Sequence, residues 1–137
     1  MAATLIPKSD IPIRSLRILY AEDLKEMRAL VRMMMTRLGH SLECCENGQL
    51  AWDHVRLAPG VFDLIITDHH MPVMNGLELV TLLRTVPFAG RIIVFSSELD
   101  PKIARLYRAL SVDRILNKPI MPQLLRQIIA ELFAKGG

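Results

Sequence analysis

The residues whose types could do chemistry are the acidic pair Glu22-Asp23, the aspartate Asp68, the serines Ser96-Ser97 and the lysine of Lys118-Pro119. Brought to one place, they would set three carboxylates against one another. Each unit-charge pair at 4 Å then costs about 4 kcal/mol at an effective dielectric of about 20. A cation must offset that repulsion, and a hard all-oxygen site suits magnesium, which keeps several waters and contacts phosphate oxygens. Carboxylates and a lysine around such an ion are the parts of a phosphoryl-transfer site. Neither GxGxxG nor GxxxxGK[ST] occurs in the sequence, so a nucleotide has no glycine loop to lie in. The phosphoryl group must therefore arrive on another molecule and land on a side chain, for which a carboxylate such as Asp68 serves.

These residues need elements that hold them together. Short apolar runs at Leu16–Tyr20, Leu42–Cys45, Leu64–Thr67, Ile92–Phe95 and Arg114–Leu116 read as strands, and each reactive stretch follows such a run directly or after one residue. Three of the runs are rich in isoleucine or leucine without alternation, as in a parallel sheet buried on both faces. Between the strands lie helical patterns. Met27, Leu30, Val31, Met34 and Leu38 form one stripe, and Leu124, Leu125, Ile128, Ile129 and Leu132 another. Leu50, Ala51 and Val55 mark a weaker stripe after Asn47-Gly48. Asp100-Pro101 and Met121-Pro122 carry helix-start signals. Five strands alternating with five helices predict an α/β three-layer sandwich around a five-stranded parallel sheet with right-handed crossovers. Ligands of such sheets bind at the carboxyl ends of the strands, where the reactive residues stand.

Composition narrows the function classes. Over 137 residues, 51% are hydrophobic and 23% charged, the balance of one globular domain. No apolar run approaches the roughly 20 residues needed to cross a bilayer. The leader MAATLIPKSDIPIRS interrupts any apolar core with proline, lysine and aspartate, so a cytoplasmic location is expected. Residues 1–14 read as a tail and 15–137 as the domain. The adjacent cysteines Cys44 and Cys45 fit neither a disulfide framework nor a spaced zinc site and read as buried thiols. A net charge of +3 is spread among interspersed acids and bases, with only 5% aromatic residues, which gives no stacking surface for nucleic acid.

The segment Asp68-His69-His70-Met71-Pro72-Val73-Met74-Asn75-Gly76 resembles the phosphoacceptor loop of response-regulator receiver domains, D-x-x-M-P-x-M-[DN]-G. Glu22-Asp23, Asn47-Gly48, Ser96 and Lys118-Pro119 are the family's further marks, in order, and the likeness covers about residues 15–135. It implies a flavodoxin-like sheet of order 2-1-3-4-5. Its chemistry is acceptance of a phosphoryl group on Asp68 from a histidine kinase or phosphotransfer protein, with Mg2+. By the same resemblance Glu22, Asp23, Asp68 and the backbone carbonyl of His70 hold the metal. Lys118 pairs with Asp68 and then with the phosphoryl oxygens, and Ser96 turns its hydroxyl toward them. The peptide before Pro119 is cis in the family. The implied role is a switch for a downstream protein partner in a phosphorelay, with neither membrane nor DNA contact and no turnover of a separate substrate.

Rival readings attach to single residues. Asp23, with Glu26 three positions on, also matches a helix-capping pattern, and consecutive His69 and His70 are expected to diverge rather than share a metal. A magnesium phosphatase with a strand-end aspartate would carry a second aspartate where this chain has His70. A receiver cut from a DNA-binding output domain is a third possibility, although residues 134–137 leave no room for one. The chain departs from the family at Ile115, where many members carry a rotating Tyr or Phe. His70 and Glu98 stand at positions that tune the phosphoryl lifetime in the family. Without an aromatic at 115, switching is expected to run through Ser96 and residues 98–100 to a face bearing Arg105, Arg108 and Arg114.

Overall fold

The computed structural model describes residues 13–134. The strands are β1 (Arg17–Ala21), β2 (Ser41–Cys45), β3 (Leu64–Asp68), β4 (Arg91–Ser96) and β5 (Arg114–Asn117). The helices are α1 (Lys25–Arg37), α2 (Gly48–Leu57), α3 (Gly76–Leu83), α4 (Pro101–Ala109) and α5 (Pro122–Phe133). All strand pairs are parallel and the order is β2-β1-β3-β4-β5, as the resemblance implies. Because the order reverses at β1, right-handed crossovers send α1 to one face of the sheet and α2, α3 and α4 to the other.

The chain divides into two compact units. One, residues 15–118, contains the whole sheet and α1 to α4; the other comprises, among the described residues, 13–14 and 119–134. In the first unit, Leu19, Ala21, Ile65, Ile92 and Val94 pack with Ala51 and Val55 of α2, Leu79, Val80 and Leu83 of α3 and Tyr107 of α4. Fully burying each such aliphatic side chain contributes about 1.5–3 kcal/mol. The central strand β3 is buried at all five positions, whereas the edge strand β2 alternates. That alternation leaves Cys44 half-buried and only Cys45 fully inside, so the expectation of two buried thiols holds for one. Burial pushes both thiols up, Cys45 to about 12, so neither is a thiolate at neutral pH.

Helix ends follow local chemistry. Asn47 accepts from the Leu50 N–H, Asp100 from the Lys102 N–H ahead of Pro101 at the helix start, and Asn75 with Glu78 forms a reciprocal capping box. Asp23 caps nothing, because α1 starts one residue later than that reading required, with Leu24 at the cap position and no side-chain bond to the helix end. In α1 the buried residues are Val31 and Met35, while Leu30 and Leu38 are exposed. The expected stripe placed Met34 inward, but Met35 is the fully buried one and Met34 only half-buried, since hydropathy does not distinguish three consecutive methionines, 33 to 35. Leu50 is likewise exposed, with Ala51 and Val55 carrying the buried face of α2.

In the second unit, α5 buries Leu125, Ile128, Ile129 and Ala130, with Leu124 exposed. The Arg14 guanidinium lies 5.8 Å from the Phe133 ring centroid. The rest of the expected tail, and residues 135–137, lie outside the described residues.

Candidate functional site

The carboxyl ends of β1, β3, β4 and β5 deliver the reactive side chains to one edge of the sheet. β1 ends at Ala21 and hands on to Glu22, whose N–H donates to Cys45 O at 2.9 Å and continues the ladder past the strand. Arg28 of α1 donates to the carbonyl oxygens of Glu22 at 2.9 Å and Asp23 at 3.0 Å, which fixes the backbone of the acidic pair. β3 ends on Asp68 itself, which pairs with Phe95 of β4, and Ser96 follows. At β5, the Lys118 N–H donates to Ser96 O at 2.7 Å, joining the last two chain segments.

Ligand atoms of Glu22, Asp23 and Asp68 all fall within 4.8 Å of one another, the only such acid, histidine or cysteine group among the described residues. Glu22 is wholly buried, Asp68 nearly so, and Asp23 is exposed to solvent. Lys118 Nζ stands 3.1 Å from Asp68 Oδ2 and 3.3 Å from Glu22 Oε1. Burial, aided by the hydrogen bond and negative charge of Asp68 and opposed by Lys118, pushes Glu22 up to about 8. Burial works against the Lys118 charge, but the hydrogen bond and attraction from Asp68, then from Glu22, raise its affinity for the proton above the ordinary value. Glu22 Oε2 and Ser96 Oγ are buried without a hydrogen-bond partner. Unsatisfied buried oxygens cost about 1–3 kcal/mol each. A hard cation would satisfy the first, and its donor set here, carboxylate oxygens at the mouth of the site, fits magnesium.

The loop after Asp68 is anchored on both sides. The His69 N–H donates to Asp68 Oδ1 at 2.9 Å and to Phe95 O at 3.0 Å, and Gly76 N–H donates to His69 O at 2.9 Å. Gly48 N–H, at the start of α2, donates to Met74 O at 3.1 Å; a Cβ there would come within 2.6 Å of that oxygen, so the mark Asn47-Gly48 is explained by close approach. His70 is exposed and lines an open cleft with Asp23, Met71, Pro72 and Asn75. His69 turns inward: its Nδ1 and the Tyr107 hydroxyl share a hydrogen bond of 2.6 Å. The two rings meet edge-on, with centroids 4.7 Å apart, and neither imidazole belongs to a group of three or more candidate ligands among the described residues.

Sequence reasoning did not single out Tyr107, the His69 ring or Arg28. Tyr107 is the one aromatic residue of α4, and its position opposite the acceptor loop follows from topology alone. Ile115 is half-buried and packs on the core beneath α4. Ser97 and Glu98 are exposed, as are Arg105, Arg108 and Arg114. No helix among the described residues is long and apolar enough to cross a membrane.

Comparison with known proteins agrees with this geometry. Residues 18–130 match the response regulator receiver domain family. The chain is 32% identical over 125 residues to the chemotaxis protein CheY homolog of Campylobacter jejuni, covering 88% of this chain and 95% of that protein. It is 28% identical over 124 residues to the sensory/regulatory protein RpfC of Xanthomonas campestris, of which it spans only 17%. Among solved structures, the chemotaxis regulator CheY4 of Vibrio cholerae superposes with a TM-score of 0.78 at 26% identity, covering 87% of this chain and 99% of that one. A receiver protein from Pseudomonas putida shares the fold at 23% identity with a TM-score of 0.79. With its sheet order, its strand-end acids and this match over most of its length, the chain belongs to the response regulator receiver domains of two-component phosphorelays.

Proposed function

We propose that Asp68 is the phosphoacceptor, attacking the phosphorus of a phosphohistidine carried by a histidine kinase or phosphotransfer protein. A carboxylate oxygen of Asp68 forms the new O–P bond as the N–P bond to the donor imidazole breaks, and the donor nitrogen leaves with the bonding pair. The observation that carries this reading is the Lys118–Asp68 contact of 3.1 Å beside two further carboxylates on one strand edge. Magnesium, when bound by Glu22, Asp23, Asp68 and the His70 carbonyl, supplies positive charge that offsets the crowding of carboxylates and phosphoryl oxygens.

The other tasks belong to the chain's own side chains. His69 N–H holds Asp68 Oδ1 and so orients the carboxylate. Lys118 moves its ammonium from Asp68 to the incoming phosphoryl oxygens, where its raised proton affinity keeps it charged. The Ser96 hydroxyl, buried and without a partner, finds one on the phosphoryl group. The product is a covalently marked switch that alters the surface around α4 for a downstream protein partner in the cytoplasm, rather than an enzyme turning over a free substrate.

The test is incubation with acetyl phosphate and magnesium, followed by peptide mapping. Phosphate is expected on the peptide containing Asp68 and absent from Asp68→Asn. Labelling of Asp68→Asn at the wild-type rate would overturn the assignment.

A further inference from the structure

Tyr107 is the only buried residue of α4. Its ring stands edge-on to His69, with centroids 5.5 Å apart at 80°, and its hydroxyl shares the 2.6 Å hydrogen bond with His69 Nδ1. His69 is covalently next to Asp68 and is also bound to its side chain, through the N–H to Oδ1 contact. The fourth helix is therefore fastened to the acceptor carboxylate through one intervening residue. The same end of the helix is also held by Arg84, at the end of α3, which donates to Leu110 O at 2.7 Å and Ser111 O at 2.9 Å. Ile115, which faces the same core, offers no polar atom for such a link.

We propose that Tyr107 couples Asp68 to the outer face of α4: through the His69 ring, a change at the acceptor reaches Arg105, Leu106 and Arg108 along a path that does not use the Ser96 hydroxyl. The proposal rests on the receiver reading above. Its driving force is the charge change at Asp68. While Asp68 is a carboxylate, the His69 N–H makes a charge-assisted bond to Oδ1. Once an acyl phosphate forms, the negative charge has moved to the phosphoryl oxygens and that bond weakens. His69 then has a different preferred position in the two states, which is the differential interaction a switch requires. By linkage the coupling is reciprocal, so a partner seated on α4 alters the readiness of Asp68 to be phosphorylated.

The experiment is amide NMR of wild type, Tyr107→Phe and Ser96→Ala, each titrated with beryllofluoride and magnesium as the phosphoryl mimic. In wild type, residues 103–108 are expected to shift. Tyr107→Phe keeps the ring and loses the hydroxyl; it is expected to bind the mimic at the Asp68 rim yet lose most of the 103–108 shift, with residues 97–100 still moving. Ser96→Ala is expected to show the reverse pattern. His69→Leu cuts the same bond from the other end and should reproduce the Tyr107→Phe pattern, with no further loss in the double variant. If residues 103–108 move in Tyr107→Phe and His69→Leu as in wild type, or are silenced equally by Ser96→Ala, the coupling is overturned. A wild type that shows no shift at Asp68 and His69 overturns the receiver reading itself, a different result from a wild type that responds and variants that respond alike.

Discussion

Gly76 and Asp68 touch backbone to backbone: a Cβ on residue 76 would lie 2.5 Å from the Asp68 carbonyl oxygen and 2.7 Å from the Tyr107 hydroxyl. Neither neighbour is the free end of a flexible side chain, so Gly76→Ala must displace the acceptor strand, α3 or Tyr107. Overpacking of this kind costs about 1–3 kcal/mol. A urea midpoint should fall accordingly, and beryllofluoride affinity should fall with it. Unchanged values of both would mean that the close approach is absent in solution.

Lys118→Ala removes the ammonium that faces both Asp68 and Glu22. Leaving these buried acids without their partner is expected to lower stability by about 1–3 kcal/mol in metal-free buffer. Magnesium should then raise the melting temperature of the variant more than that of wild type, since the cation relieves a larger repulsion. Calorimetry with and without magnesium reads both effects; equal shifts in the two proteins would contradict the arrangement.

Asp23 is the solvent-facing acid of the group and makes no capping bond, so its charge is available to a cation. Asp23→Ala removes a ligand and a charge together, and magnesium affinity should drop by about tenfold or more, in line with a loss of at least about 1.4 kcal/mol. Amide shifts on titration provide the measurement, with Trp52 on α2 a second, more remote reporter. Equal affinity in the two proteins would remove Asp23 from the ligand set.

At the opposite end of the sheet, His40 is buried and its Nδ1 accepts the Leu16 N–H at 3.0 Å. Burial, partly countered by Asp63, lowers its affinity for a proton below the ordinary value. The unfolded chain therefore binds a proton that the native chain refuses, and the stability held above about pH 6.5 is lost as pH falls below it. One proton limits this slope to about 1.4 kcal/mol per pH unit. In His40→Asn, whose amide oxygen can still accept from Leu16, the stability difference from wild type should shrink as pH falls below about 6.5. A difference that stays constant from pH 5 to 8 would rule the device out.

Much of this was legible in the sequence because the site's parts are positional. A strand followed by an acid is visible as apolar residues followed by Asp68 or by Glu22-Asp23, and the sheet order then brings the strand ends together. Asn47-Gly48 and Asn75-Gly76 were visible only as marks of the family resemblance; the close backbone approaches that call for glycine at 48 and 76 are seen in the structure. What could not be read were contacts that depend on side-chain direction. His69 and His70 look equivalent in sequence, yet one is buried against Tyr107 and the other faces water. Asp23 matched a capping pattern that a shift of one residue in the start of α1 abolishes. The three methionines of α1 offered hydropathy no means of choosing a register.

Lys118 and Glu22 meet across 96 residues of chain, and between them the site also borrows the ends of β3 and β4. No fragment that lacks the end of β1, β3, β4 or β5 can assemble it. Competence to receive the phosphoryl group is thus a certificate that these strands have come together: a chain that stops short of Lys118, or whose strand ends are parted, lacks the site. Whatever binds the finished site also adds its binding energy to the stability of the entire sheet. A signal passed through this domain is in that sense already proofread, since only copies with these strand ends joined can carry it.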